Sequence, residues 1–193
     1  MSFIFRIALT CFAVALGFAA TAQASTQMVS SSSPEETVQS LYRQVQHRAP
    51  SGLPVDGDMQ IIAPFLSGSL RRKFDLAAAC ESDWNLKNHG QMIKAPFSWS
   101  EFGLFSGANE RISPASFHIE SVHKDRDASF QITVSFTHRP GDGSGSWHVT
   151  DHLIHEDGRF VLDDVLFSKN ASGESLTLTG ILSEGCERAH WVG

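Results

Sequence analysis

The fold is decided by a stretch that runs from residue 147 to residue 167 and reads WHVTDHLIHEDGRFVLDDVLF. Asp157-Gly158 at its centre is typical of a two-residue hairpin turn, because both residue types tolerate the positive φ that such turns need. The segments on either side, Trp147 to His155 and Phe160 to Phe167, are rich in branched and aromatic side chains. We therefore predict two antiparallel strands joined by this turn.

Two segments upstream repeat the alternation of apolar and polar residues that is typical of a strand with one solvated face. The first has apolar residues at Phe117 and Ile119, and the second has them at Phe130, Ile132, Val134 and Phe136. No helical spacing interrupts the run of four strands. We therefore predict a four-stranded antiparallel meander.

The residues before the meander have helical spacing. Ser33-Pro34-Glu35-Glu36 is typical of a helix start, since serine caps free N–H groups, proline fits the first turn and acids favour the positive end of the helix dipole. We predict a first helix from Pro34 that ends before Ala49, a brief second helix over 58–62, and a third that starts at Ser67 and carries Cys80. Helices followed by a meander indicate the α+β class, with the helices packed on the sheet.

The first 24 residues have the pattern of an export signal. Arg6 is their only charged residue, the apolar run 7–20 is too short to span a bilayer, and Ala22-Gln23-Ala24 fits a cleavage site. We expect removal of 1–24, a flexible Ser-rich lead over 25–32, and one domain over 33–193 that ends in an irregular strap with a short helix over 176–182. Because no later segment could cross a membrane, we expect a periplasmic or secreted protein.

Charge and missing motifs exclude several classes of function. Removal of the signal would leave 14 basic against 21 acidic residues, a formal charge of −7. This balance disfavours nucleic acids and anionic lipid surfaces as partners. The sequence has no glycine-rich phosphate loop, no Gly-x-Ser-x-Gly elbow, no His-Glu-x-x-His motif and no acidic cluster with calcium spacing. We therefore predict that the protein uses no cofactor.

Two cysteines, Cys80 and Cys186, remain after removal of the signal. In an oxidising compartment a single disulfide between them is the natural assignment. It would close a loop of about 105 residues and attach the C-terminal tail to the first half of the domain. A reactive thiol pair is the alternative, but the Cys-x-x-Cys spacing that favours it is missing.

Three histidines in the hairpin, His148, His152 and His155, resemble a metal-binding set at first sight. On a strand, however, His148 and His152 lie about 13 Å apart, at roughly 3.3 Å per residue, and His155 points to the opposite face. One strand cannot bring them to one ion, so we predict no metal site.

A two-residue turn at 157–158 also fixes the hairpin register, which pairs Ile154 with Val161, His152 with Asp163 and Asp151 with Asp164. In a pocket, His152 and Asp163 would form a general base whose tautomer the carboxylate fixes. On a solvated face they would form only a cross-strand ionic contact. These two residues are the candidate catalytic pair.

The segment 86–107 has no clear period and is rich in aromatic residues. Long aromatic loops cover either the core or a ligand pocket. The candidates for ligand binding are Trp99, Phe102 and Phe105, together with His148 on the hairpin.

The order of these elements resembles the nuclear-transport-factor-2-like superfamily, and within it exported bacterial proteins of the DUF3828 type. The segments that carry the resemblance are Phe65-Leu66-Ser67-Gly68-Ser69-Leu70 and Asp157-Gly158-Arg159-Phe160-Val161-Leu162-Asp163-Asp164-Val165. It covers about Ser33 to Ser168 and implies a cone-like curved sheet packed on helices, with a pocket between them. Such scaffolds host both enzymes and inert binding proteins, so the resemblance does not choose between them.

Three hypotheses about function follow. The first is an exported, non-enzymatic protein that binds a small ligand or an envelope protein through the concave sheet face and the aromatic segment. The second is an isomerase or hydrolase with His152 as base and Asp163 as its orienting partner. The third is a periplasmic inhibitor or immunity protein.

Overall fold

The architecture was determined from a computed structural model, which describes residues 33–48, 52–108, 114–138, 141, 145–169 and 175–191. The predicted signal and the Ser-rich lead lie outside these residues. Residues 49–51, which follow the first predicted helix, also lie outside them.

Three helices precede the sheet, as predicted. They are α1 (Pro34–Arg48), α2 (Asp56–Ile62) and α3 (Gly68–Lys87). Ser33 Oγ accepts the Glu36 N–H at 3.2 Å, and Ser67 Oγ accepts the Leu70 N–H at 2.9 Å. Both serines therefore satisfy N–H groups that a helix leaves free at its start.

The helices bury the apolar faces that their spacing indicated. Val38, Leu41, Tyr42 and Val45 of α1 are buried, as are Leu70, Phe74, Ala77 and Trp84 of α3. Ala78, whose spacing predicts the same face of α3, is exposed. Together with one face of the sheet, these two helix faces form the core.

The sheet has five antiparallel strands in the order β1-β2-β3-β4-β5, one more than the sequence predicted. The strands are β1 (Ser116–Lys124), β2 (Phe130–Thr137), β3 (Ser146–Glu156), β4 (Arg159–Lys169) and β5 (Ser175–Thr177). The additional strand, β5, pairs with β4 in a region that we predicted to be an irregular strap. Three residues are too few to show an alternating pattern, so this strand could not be recognised from the spacing of its apolar residues.

A fourth helix, α4 (Leu178–Trp191), follows β5 directly. It begins two residues later and extends further than the predicted helix over 176–182. Leu178, Ile181 and Leu182 are buried, and α4 packs against α3 and β4. The chain is therefore an α+β protein whose helices pack on the sheet. Among the described residues, no helix is both long and apolar enough to cross a bilayer.

Candidate functional site

The β3–β4 hairpin turns where the sequence predicted, but its register changes after four pairs. Asp157 and Gly158 both have positive φ, at 51° and 79°. Ile154 lies opposite Val161, as expected.

Beyond Leu153 the predicted register is wrong by one residue. His152 faces Asp164 and Asp151 faces Val165, so Asp163 is the additional residue of a β-bulge. The bulge has a physical reason, because the predicted register would have placed two carboxylates, Asp151 and Asp164, directly opposite each other.

The bulge gives Asp164 a structural role. Its Oδ1 accepts N–H groups from Val165 at 2.8 Å and from Thr179 at 2.9 Å, and its Oδ2 accepts the Thr179 hydroxyl at 2.7 Å. The carboxylate therefore attaches the first turn of α4 to β4.

The candidate catalytic pair, His152 and Asp163, is close together without a hydrogen bond. His152 Nδ1 lies 4.0 Å from Asp163 Oδ2, and the side chains are 38% and 30% exposed. This distance is too long for a hydrogen bond. Asp163 Oδ1 instead accepts the Ser67 hydroxyl at 2.6 Å, at the start of α3. The geometry is that of a partly solvated ionic contact rather than of an oriented general base.

Two of the aromatic candidates belong to the core. Trp99 is 0% exposed and stacks on Phe97 with ring centroids 4.6 Å apart, and Phe105 is 1% exposed and stacks on Phe74 at 5.8 Å. For these two residues the aromatic segment lies over the core, which was one of the two alternatives.

The other two candidates, Phe102 and His148, line a common pocket of about 470 Å³. The pocket is walled mainly by apolar side chains from four parts of the chain. Its lining residues are Phe102, Gly107, Trp147, His148, Val149, Phe167 and Leu176. Phe102 packs edge-on against Phe167 with centroids 4.9 Å apart.

The pocket lies where the β3–β4 ladder opens. The last pair of this ladder is Thr150 with Leu166. Both strands continue past it, β3 back to Ser146 and β4 forward to Lys169, while β5 pairs with the other edge of β4. The residues beyond the last pair supply Trp147, His148, Val149 and Phe167 to the lining.

Two of the polar side-chain atoms at this pocket, Trp147 Nε1 and His148 Nδ1, already have partners. Trp147 Nε1 donates to the Ser106 carbonyl oxygen at 2.7 Å. His148 Nδ1 lies 3.1 Å from Glu120 Oε2 on β1. The apolar walls are consequently the main surface that the side chains offer to a ligand.

A buried acid, Asp151, connects the aromatic segment to the sheet. Asp151 is 0% exposed, and its Oδ1 lies 2.7 Å from the Tyr42 hydroxyl, which also donates to the Phe105 carbonyl oxygen at 3.0 Å. Asp151 Oδ2 has no hydrogen-bond partner among the described residues. Burial raises the pKa of Asp151 to about 8, against the opposing effect of the Tyr42 hydrogen bond. Burial, followed by the charge of Asp151, raises the pKa of Tyr42 well above its usual value.

A second, more open depression of about 660 Å³ lies at the β1–β2 turn. It is polar, and its lining residues are His123, Lys124, Asp125, Arg126, Asp127, Ser129 and His152. The hydrogen bonds from Ser129 lower the pKa of Asp127. The carboxylates here bond to neighbouring serine and glutamine side chains, and no group of three metal-ligating side chains occurs within the described part of the chain.

Cys80 is a free cysteine in this structure. Cys186 belongs to α4, but its side chain lies outside the description. The disulfide between Cys80 and Cys186 therefore stays a prediction. The helices that carry the two cysteines, α3 and α4, pack together.

Most of the pocket and the Tyr42–Asp151 contact were not predicted from the sequence. One signal was available for Asp151, since the alternation of β3 places it on the same face as Val149 and Leu153, which are buried. The pocket had no such signal, because it arises from the separation of two strands. Comparison of the chain with protein-family models, curated proteins and solved structures gives no match.

Proposed function

We propose that this protein is a non-enzymatic binding protein that holds a small, mainly apolar ligand in the pocket between β3, β4 and the aromatic segment. The observation that carries the proposal is the pocket at the open end of the β3–β4 ladder, with Phe102, Trp147 and Phe167 in its walls. Its volume, about 470 Å³, lies within the roughly 300 to 1,000 Å³ of small-ligand sites.

The chemistry of the lining favours binding over catalysis. His148 is the one titratable residue among the seven that line the pocket. The contact of His148 with Glu120 is solvated, since the two side chains are 51% and 39% exposed, and neither a nucleophile nor a second acid is among those seven residues. The alternative pair, His152 and Asp163, is partly exposed and lacks a hydrogen bond.

The proposal places the binding protein outside the cytoplasm, because the pattern of residues 1–24 is typical of an export signal. It also retains the resemblance to the nuclear-transport-factor-2-like superfamily as a proposed relationship. A curved sheet with helices on one face, which that resemblance implies, is compatible with the α+β architecture.

A fluorescence titration with 8-anilinonaphthalene-1-sulfonate, a probe with an apolar aromatic body, tests the pocket. The variant Leu176→Trp fills it from the rim, where Leu176 is 37% exposed. We expect the variant to weaken probe binding by about tenfold or more, equivalent to about 1.4 kcal/mol of lost apolar contact.

The matched control is Val122→Trp. Val122 also lies on a strand, is 39% exposed and is not part of the pocket. We expect it to bind the probe as the unmodified protein does. Equal affinities for the two variants, or no binding of the probe to the unmodified protein, would refute the proposed function.

A further inference from the structure

The pocket contains peptide groups as well as apolar side chains. Trp147, His148 and Val149 are consecutive residues of β3, and they line the pocket on the side where β4 no longer pairs with β3. Their partners in β2 are Phe136, Ser135 and Val134. On the opposite side of this segment the ladder is missing.

The geometry of a strand determines what this edge offers. Consecutive residues direct their N–H and C=O groups to alternate sides, so either Trp147 or His148 directs both of its groups into the gap. Within the described residues, no hydrogen bond reaches the backbone of either residue apart from the ladder with β2. A donor and an acceptor of the main chain at the wall of an apolar pocket therefore have no ladder partner among the described residues.

We propose that the ligand of this pocket is a short extended peptide that pairs with the β3 edge and places one apolar side chain between Phe102, Phe167 and Leu176. This inference rests on the proposed function and names the class of its ligand. An exposed strand edge next to a side-chain pocket is the arrangement that proteins use for strand addition, in which main-chain hydrogen bonds give affinity and the pocket gives specificity.

The dimensions limit the peptide to a few residues. β3 extends four residues beyond its last pair with β4, from Ser146 to Val149. At roughly 3.3 Å per residue this edge spans about 13 Å, the length of at most about four extended residues. A purely apolar small molecule would contact the pocket walls but leave the N–H and C=O groups of the β3 edge unpaired. A peptide would form hydrogen bonds with both groups.

Matched probes distinguish these ligands. N-acetyl-phenylalanine N-methylamide has an amide N–H on each side of its side chain, and the methyl ester N-acetyl-phenylalanine methyl ester replaces one N–H with an oxygen. Isothermal titration calorimetry should show that the diamide binds about tenfold more tightly than the ester, the equivalent of one hydrogen bond of about 1.4 kcal/mol. Leu176→Trp should abolish binding of both, and Val122→Trp should change neither.

Backbone amide signals locate the contact. In ¹⁵N-labelled protein, the N–H of Trp147 or His148 should move downfield and exchange more slowly with solvent when the diamide binds, and the amides of β1 should not change. Equal affinities for diamide and ester, no diamide binding, or no change at either amide would overturn the peptide proposal. If 8-anilinonaphthalene-1-sulfonate still bound in a Leu176-dependent manner, the proposed function would survive that result.

Discussion

The hydroxyl of Tyr42 lies 2.7 Å from Oδ1 of Asp151, and the same hydroxyl lies 3.0 Å from the carbonyl oxygen of Phe105. One hydroxyl proton cannot serve two acceptors fully. If Asp151 is protonated, its carboxyl group donates to the Tyr42 oxygen, and the Tyr42 proton goes to the Phe105 carbonyl. The raised pKa of Asp151, about 8, agrees with this arrangement. The contact connects α1, β3 and the aromatic segment through a neutral acid.

The stability of the protein should fall as the pH rises from about 4 to about 8. Asp151 has its ordinary pKa, 3.8, in the unfolded chain and about 8 in the fold, so between these values the folded state binds one proton more. The free energy of unfolding then decreases with pH, by up to about 1.4 kcal/mol per pH unit from this group. Below the lower pKa its contribution is complete, and above pH 8 it is lost.

Urea unfolding of the unmodified protein and of Asp151→Asn across this pH range measures the effect. The amide of asparagine donates as the neutral acid does, but it does not titrate. We expect the variant to lack this part of the pH dependence and to be the more stable protein at pH 8. Parallel stability curves for the two proteins would show that Asp151 is ionised in the fold.

Removal of the Tyr42 hydroxyl should destabilise the fold. Tyr42→Phe leaves the buried Asp151 and the Phe105 carbonyl without their partner, at a cost of about 1 to 3 kcal/mol. Thermal unfolding measures the change. Ser116→Ala is the control, because it removes a hydroxyl from an exposed contact with Thr137 and should cost less than about 0.5 kcal/mol. A Tyr42→Phe effect no larger than the control would contradict the network.

Loss of the Asp164 carboxylate should loosen α4. Asp164→Ala removes two acceptor contacts with Thr179 at the first turn of the helix and one with Val165 in β4, and we expect a cost of about 1 to 2 kcal/mol. Hydrogen exchange at the amides of Thr179 and Gly180 should accelerate. Asp83→Ala, which removes an exposed ion pair with Lys87, should leave that exchange unchanged, and faster exchange in both variants would argue against a specific role for Asp164.

Gly107 should be required for the shape of the pocket. Its φ is +70°, and an added Cβ would lie 3.0 Å from Cδ1 of Phe167. Gly107→Ala therefore combines backbone strain of about 1 kcal/mol with displacement of a pocket wall. Gly90→Ala is the control, because Gly90 has a similar φ of +80° and the substitution causes similar backbone strain. The added Cβ at this position would contact nothing within 4 Å. Binding of 8-anilinonaphthalene-1-sulfonate should weaken in the first variant alone, and equal weakening in both would exclude the contact with Phe167 as its cause.

If the protein is exported as we propose, it should contain the Cys80–Cys186 disulfide. Mass spectrometry of protein from the periplasm should find both cysteines protected from alkylation until a reductant is added. The bridge would stabilise the fold by about 4 to 5 kcal/mol in the loop-entropy treatment, by joining α3 to α4. Alkylation of both thiols without reductant would contradict it.

Local physics made most of the elements predictable. The helix start at Ser33, the cap at Ser67 and the turn at Asp157-Gly158 each depend on residues within a few positions of one another. The alternation of apolar residues likewise placed β1 to β4, because side chains of a strand point to alternate faces whatever the strand packs against. The sequence by itself therefore determined the α+β class, the helical first half and the order of four strands.

The tertiary structure decided everything that depends on how these elements meet. The bulge at Asp163 allows Asp151 to lie in the core while Asp164 contacts the start of α4. The two carboxylates therefore have different surroundings, although they lie only thirteen residues apart in the chain. The pocket exists because the β3–β4 ladder ends at Thr150 and Leu166 although both strands continue, and because Phe102, Gly107 and Leu176 from other segments complete its walls. Such arrangements depend on the total packing energy of distant segments, and no short stretch of sequence contains that information.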